Sequence, residues 1–407
     1  MNKKKESKVV PNVRFKGFTD DWKQRKLGEI TDVRDGTHDS PKYVQEGHPF
    51  ITSKNVSNGF INYNDVQYVT DADYEEINKR SKVDVHDILM GMIGTIGNLA
   101  LIRKEPDFAI KNVALIKYTG DVDYQYLYQA LQASCVTNQL STGMDGGTQK
   151  FVSLKKIREL DIPFPDGWEQ RKIGAYFSTL DHLITLHQQK ITRLIKLKKA
   201  MLEKMFPKKG TVIPEIRFNG FANAWEQRKL GELVGIYDGV HQTPNYQDSG
   251  IMFLSVENIA TLKSEKYIAE EAFERDYKVY PEKGDILMTR IGDVGTTNVV
   301  ETVEKVAFYV SLALLKPNGI DSYFLSNAMK TNAFQKGLRK RTLVTAIPQK
   351  INKDEIGKID IFITNNDEEQ KKIGEYFLNL DHLIALHQRK IDMLKKLKSA
   401  CLSEMFI

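Results

Sequence analysis

Residues 169–206 read EQRKIGAYFSTLDHLITLHQQKITRLIKLKKAMLEKMF, and residues 369–406 read EQKKIGEYFLNLDHLIALHQRKIDMLKKLKSACLSEMF. The two align without a gap, and about two thirds of their positions are identical. Apolar residues fall at Ile173, Phe177, Leu180, Ile184, Ile191, Leu194, Met201 and Met205, with matching positions from Ile373 to Met405. Such steps of three and four make a heptad seam. Asp166 before Glu169, and Asn366 before Glu369, have the spacing of an N-cap and its N3 partner, and Pro207 closes the first segment. The pattern predicts two helices, each roughly 50–60 Å long at 1.5 Å per residue. Neither seam can stay in water, so each helix is expected to pack on the other. An antiparallel pair suits the connection, with the remaining domains at opposite ends about a pseudo-twofold axis. The expected pairing residues are Phe177, Leu180, Ile184, His187, Ile191 and Phe377, Leu380, Ile384, His387, Ile391. A histidine in a seam either fixes register or forms a pH- or metal-sensitive pair; His182 and His382 read as surface residues. The lysines of KLKKAMLEK and KKLKSACLSE read as a solvated flank or a phosphate-facing side.

A second repeat precedes these helices. RFKGFTDDWKQRKLGE begins at Arg14 and returns at Arg217 as RFNGFANAWEQRKLGE. Shorter echoes lie between: DGTHDSPKY at Asp35 and DGVHQTPNY at Asp238, DILMGMIGTIG at Asp87 and DILMTRIGDVG at Asp285, NVALIK at Asn112 and SLALLK at Ser311. Their order is kept while the offset drifts, so the loops between them differ in length. The organisation is therefore an N-terminal arm (1–22), a variable domain (23–166), a helix (167–207), a linker (208–224), a second variable domain (225–366) and a second helix (367–407). Short β-rich runs punctuated by Gly, Asn and Asp make each variable domain mixed α/β, and the chain α+β overall. KYIAEEAF reads as helical.

With 41% hydrophobic and 28% charged residues among 407, the chain has the composition of a globular protein. It has no apolar run approaching the roughly 18 residues of a membrane span. Two distant cysteines, Cys135 and Cys401, exclude a disulfide framework and fit a reducing cytoplasm. The net charge of +6 permits a nucleic-acid partner without demanding one.

Candidate contact residues come from polar and basic clusters, because Arg, Lys, Asn and Gln read base edges or hold phosphates. They are His38, Lys42, Tyr43, Ser53, Lys54, Asn55, Thr148, Gln149 and Lys150 in the first domain. The second contributes His241, Tyr246, Glu257, Asn258, Arg290, Arg339, Lys340, Arg341, Thr342, Gln349 and Lys350. GMIGTIGN and TRIGDVGT fit tight turns after a strand better than a phosphate loop, lacking the GxxxxGK signature. The Asp–His loops have no accompanying nucleophile motif or paired carboxylates, so turn-forming, DNA-facing loops suit them better than catalysis. No metal-ligand spacing is present.

W-x-Q-R-K-L-G-E twice and E-Q-x-K-I-G-x-Y-F-x-x-L-D twice, together covering Arg14 to Phe406, resemble the specificity subunit of type I restriction–modification enzymes. His86 stands where the second half has Gly284, a small departure. The resemblance implies that each variable half reads one part of a split DNA target. The helices would space the halves and hold two methyltransferase subunits, through which restriction subunits join. S-adenosylmethionine, ATP and Mg²⁺ would then belong to those partners. Two other readings stand beside it: a scaffold that holds partners without reading sequence, and a DNA-modifying enzyme. Against the enzyme, neither the Asn/Asp-Pro-Pro-Tyr/Phe motif of adenine methyltransferases nor a P-loop occurs.

Overall fold

The computed structural model describes residues 10–57, 59–142, 150–208 and 210–406. The chain divides into two units, Met1–His187 with Arg389–Ile407, and Gln188–Gln388.

In the first unit, a four-stranded antiparallel sheet runs in the order Val33–Asp35, Val113–Ile116, Ile88–Gly91, Leu99–Leu101. Its two middle strands are buried along their whole length, which explains their unbroken apolar sequences. A three-stranded sheet places His48–Thr52 antiparallel to Gln67–Val69 and parallel to Ala109–Lys111. The KQRK of the first repeat is a strand, Lys23–Lys26, paired antiparallel with Asp161–Phe164 immediately before the long helix.

The second unit repeats these three sheets; the first has in addition the pair Val56–Ser57 and Phe60–Ile61, without a counterpart in the second among the described residues. Val234–Asp238, Leu312–Pro317, Ile286–Ile291 and Asp293–Val299 form the four-stranded sheet. Ile251–Leu254 lies antiparallel to Tyr267–Ile268 and parallel to Val306–Phe308. Glu226–Lys229 pairs with Asp360–Ile363. Two sequences that share only scattered phrases thus specify one fold. KYIAEEAF departs from its expected helix: Tyr267–Ile268 is a strand, and the helix starts only at Glu270. The strand position of Ile268 is fully buried against Ile251, and that packing decides the conformation.

Both glycine-rich stretches are hairpin turns, as expected. Gly94 and Gly97, and Gly292 in the second unit, have the positive φ that glycine adopts without strain. His86 also lies at φ 75, matching Gly284 at φ 96, and its ring stacks on Tyr124 at 4.0 Å.

The long helices are Gly167–Lys204 and Asp367–Met405. In each unit the start of one helix packs against the end of the other. In the first, the Tyr176 hydroxyl is 3.5 Å from Cys401 Sγ, and Lys398 Nζ is 2.7 Å from Asp181. In the second, Lys198 Nζ is 2.6 Å from Asp381, and the Phe206 and Phe377 rings are 6.2 Å apart. As one partner's number rises the other's falls, so the pairing is antiparallel in both. Phe177, Leu180, Ile184, Phe377, Leu380 and Ile391 are buried; Ile191, Ile384, His187 and His387 are half-buried. His182 and His382 are exposed.

Two expectations need correcting. The seam does not serve helix pairing alone, because Ile373, Phe377 and Leu380 share one apolar core with Trp225, Leu230 and Phe324 of the globular domain. And the lysines are not all a solvated flank: Lys198 and Lys398 fall on the seam and are bound to aspartates. No helix among the described residues is long and apolar enough to cross a membrane.

Candidate nucleic-acid interface

The repeated phrases first build a clamp between domain and helix. Glu169 begins its helix beneath Asp166, whose carboxylate accepts the Glu169 N–H at 3.1 Å. The Glu169 side chain does not return to the cap. Buried, it takes a bidentate pair from Arg14 (2.6 and 2.7 Å) and the indole N–H of Trp22 (2.9 Å). Its hydrogen bond holds the Arg14 guanidinium above the usual range. Gln170 accepts the backbone N–H of Asp123 and donates to Pro165 O. Asp123 in turn caps the helix Tyr124–Ala130. A Cβ at Gly174 would lie 2.6 Å from Asp123 Oδ1, so only glycine lets that helix approach. The second unit repeats these elements apart from the indole bond: Arg217 to Glu369, Gln370 to Asp321 N, and Gly374 against Asp321. These residues were legible only as a repeated phrase; their shared role follows from spatial neighbourhood.

So anchored, each domain brings three loops to one end of its four-stranded sheet. In the first unit they are the DGTH loop, the hairpin turn after Gly91, and the chain near Lys150. Gly94 N–H donates to Lys150 O, and Thr37 bridges Lys111. In the second they are the DGVH loop, the turn at Gly292, and residues 343–350. Gly292 N–H donates to Gln349 O, Gln349 Nε2 donates to Gly292 O, and Ile351 N–H donates to Arg290 O.

The first-unit loop is held by His38, which stands between Asp35 (2.9 Å) and Asn112 (2.8 Å). Both partner atoms are oxygens, so both bonds form together only when the ring carries two protons. These bonds, to Asn112 and then Asp35, raise the His38 pKa. Asp35 also pairs with Arg80, a partner that nothing in the sequence pattern marks. In the second unit the matching Asp238 pairs with Arg290 instead, and His241 is exposed.

Several candidate residues hold the scaffold. Ser53 and Asn55 are buried: Ser53 Oγ accepts from Met92 N and donates to Asn112 O, and Asn55 closes its own turn with Thr52 and Asn62. Asn258 spends both polar atoms in the equivalent turn. Arg290 is buried, its pKa lowered by that burial, and its Nε has no acceptor among the described residues. Thr342 donates to Leu338 O, and Arg341 pairs with Glu355 at 2.9 Å. Ser53, Asn55 and Arg290 are turned inward because loops carrying so many backbone polar groups need internal partners. Exposed are Lys42, Tyr43, Lys150, His241, Tyr246, Arg339, Lys340, Gln349 and Lys350. Lys54 is exposed and paired with Asp65, as Glu257 is with Lys266. Thr148 and Gln149 lie outside the described residues. No group of acidic, histidine or cysteine residues suited to a metal occurs among the described residues.

A duplicated α+β reader, clamped to a helix pair and presenting a loop cluster at one sheet end, is the architecture of a two-part recognition protein. The chain belongs to the type I restriction modification DNA specificity domain family, which it matches over residues 19–196 and 222–396. It is 24% identical over 403 residues to the type I restriction enzyme MjaVIII specificity subunit of Methanocaldococcus jannaschii, covering 93% of this chain and 90% of that one. Similarity to the Escherichia coli EcoBI specificity subunit is 22% over 205 residues, 46% of this chain and 41% of that one. Its fold matches the S subunit of a type I restriction–modification system from M. genitalium, with a TM-score of 0.67, 16% identity and coverage of 98% and 99%. The chain is a specificity subunit of a type I restriction–modification system.

Proposed function

We propose that each unit reads one half of a split, asymmetric DNA target through its three-loop end. The observation that carries this is the pairing of one scaffold with two different sets of exposed side chains at the same sheet end. A single reader duplicated for symmetry would keep those side chains; a pure scaffold would have no use for their divergence. The long helices set the number of unread base pairs between the half-sites and dock two copies of one methyltransferase subunit, because their surfaces are nearly the same twice. Restriction subunits join through the methyltransferases. The chain itself is non-catalytic; S-adenosylmethionine, ATP and Mg²⁺ serve those partners.

Methylome sequencing of a host with and without this chain tests the reading. It is expected to reveal one motif of two unlike half-sites with a fixed gap, and loss of that motif without the chain. Replacing residues 23–166 by another variable domain should exchange one half-site only. Four residues inserted at the same place in both long helices should lengthen the gap and leave both half-sites intact. Altered half-sites with an unaltered gap would contradict the spacing role.

A further inference from the structure

Residues 332–352, NAFQKGLRKRTLVTAIPQKIN, contain five cations and no Asp or Glu. The matching residues 134–153 of the first half, SCVTNQLSTGMDGGTQKFVS, contain one of each sign. Most of the chain's net charge of +6 is thus equalled by one short segment of the second unit. Its first part is the helix Asn332–Arg341, anchored by buried Phe334 and Leu338. Lys336, Arg339 and Lys340 are exposed. Its second part is a finger. Leu343 N–H donates to Lys350 O at 2.8 Å, the return bond closes at 3.4 Å, and the finger's base is sewn to the turn at Gly292. Its tip is apolar and open to solvent: Val344 is 69% exposed and Ile347 fully exposed.

Isolated exposed apolar residues are common on proteins. Here they crown a loop closed by the Leu343–Lys350 bridge at the reading end, beside Lys336, Arg339, Lys340 and Lys350, which have no ion pair among the described residues, and with no acid in the segment to repel a polyanion. The major groove admits elements as wide as a two-stranded ribbon, and the finger has the width of two chain segments where the Leu343–Lys350 bridge closes it. The apolar landmark of that groove is the thymine methyl group.

Building on the split-target reading, we propose that the finger enters the major groove of the second half-site. There Val344 and Ile347 contact a thymine methyl, and Lys340 and Lys350 hold the flanking phosphates. The second unit therefore reads at least one thymine by apolar contact.

The test uses the assembled complex and the motif found by methylome sequencing. Each thymine of the motif is replaced in turn by deoxyuridine, which lacks only the methyl. One position in the second half-site is expected to lose about three- to fivefold in affinity, the worth of a buried methyl. The double variant Val344→Ser, Ile347→Ser should lose that sensitivity, bind as weakly as wild type does on the uracil site, and keep its melting temperature. Absence of any uracil-sensitive position in the second half-site, or equal sensitivity in the variant, overturns the proposal. Loss of methyltransferase from the variant complex also overturns it, since the tip would then be a protein contact. If wild type yields no split motif, the split-target reading itself fails, a result separable from failure of the finger.

Discussion

The indole N–H of Trp22 donates to the Glu169 carboxylate at 2.9 Å, whereas Trp225, its counterpart, has no acceptor among the described residues. The difference lies in one neighbour. The Thr364 hydroxyl donates to Glu369 at 2.6 Å and occupies the oxygen the indole would use, where the first half has Pro165, which carries no hydroxyl. Both tryptophans are buried. Trp22→Phe should therefore cost more stability than Trp225→Phe, by about 1 kcal/mol, the net worth of a hydrogen bond. Urea denaturation of the two variants measures the difference, and equal losses would refute the asymmetry.

Glu169→Gln and Glu369→Gln each strip the charge from a buried bidentate pair and leave Arg14 or Arg217 uncompensated. A loss of about 3 kcal/mol is expected for each, because breaking one side of a buried ion pair strands the other. Chemical denaturation followed by tryptophan fluorescence would read it.

Alanine normally stabilises an exposed helix interior over glycine by about 1 kcal/mol. At Gly174 and Gly374 the opposite sign is expected, with Gly→Ala destabilising by about 1–3 kcal/mol, since a Cβ would press on the capping Asp123 or Asp321. Thermal melting of the two variants decides the sign.

Burial, and then repulsion from Lys198, lower the Lys330 pKa to about 8. In the unfolded chain a lysine titrates near 10.4. Between these values the unfolded state binds more protons, so the native state gains stability as pH rises through that window. Lys330→Gln, which installs the residue found at Gln132, should raise stability at pH 7 by on the order of 1 kcal/mol after allowing for partial exposure. That advantage should fade as pH climbs from about 8 and be gone above about 10.4. Melting curves at pH 7, 9 and 10.5 would show it; a pH-independent gain would not fit.

Each phosphate contact contributes a salt slope near 0.9. The triple variant Lys336→Ser, Arg339→Ser, Lys340→Ser should flatten the dependence of log Kd on log salt by up to about 3 and weaken binding to all sequences alike. Titrations between low and physiological salt would measure this.

The sequence alone determined the repeat, the two long helices and their caps, and the alternation of variable and repeated parts. Heptad spacing and side-chain periodicity are local properties and survive in one dimension. Even the Lys198–Asp381 pair left a trace, a cation standing on an apolar seam. What the tertiary structure decided was which side chains face outward. Ser53, Asn55 and Arg290 carry the chemistry of base readers yet are spent inside, because a loop-rich sheet end must satisfy its own polar groups first. Val344 and Ile347 look like core residues yet stand in solvent. Glu169 was placed as a cap partner and instead binds Arg14 and Trp22, 155 and 147 residues away. Contacts at such separations depend on how the chain folds back on itself, and residue type by itself holds no record of that.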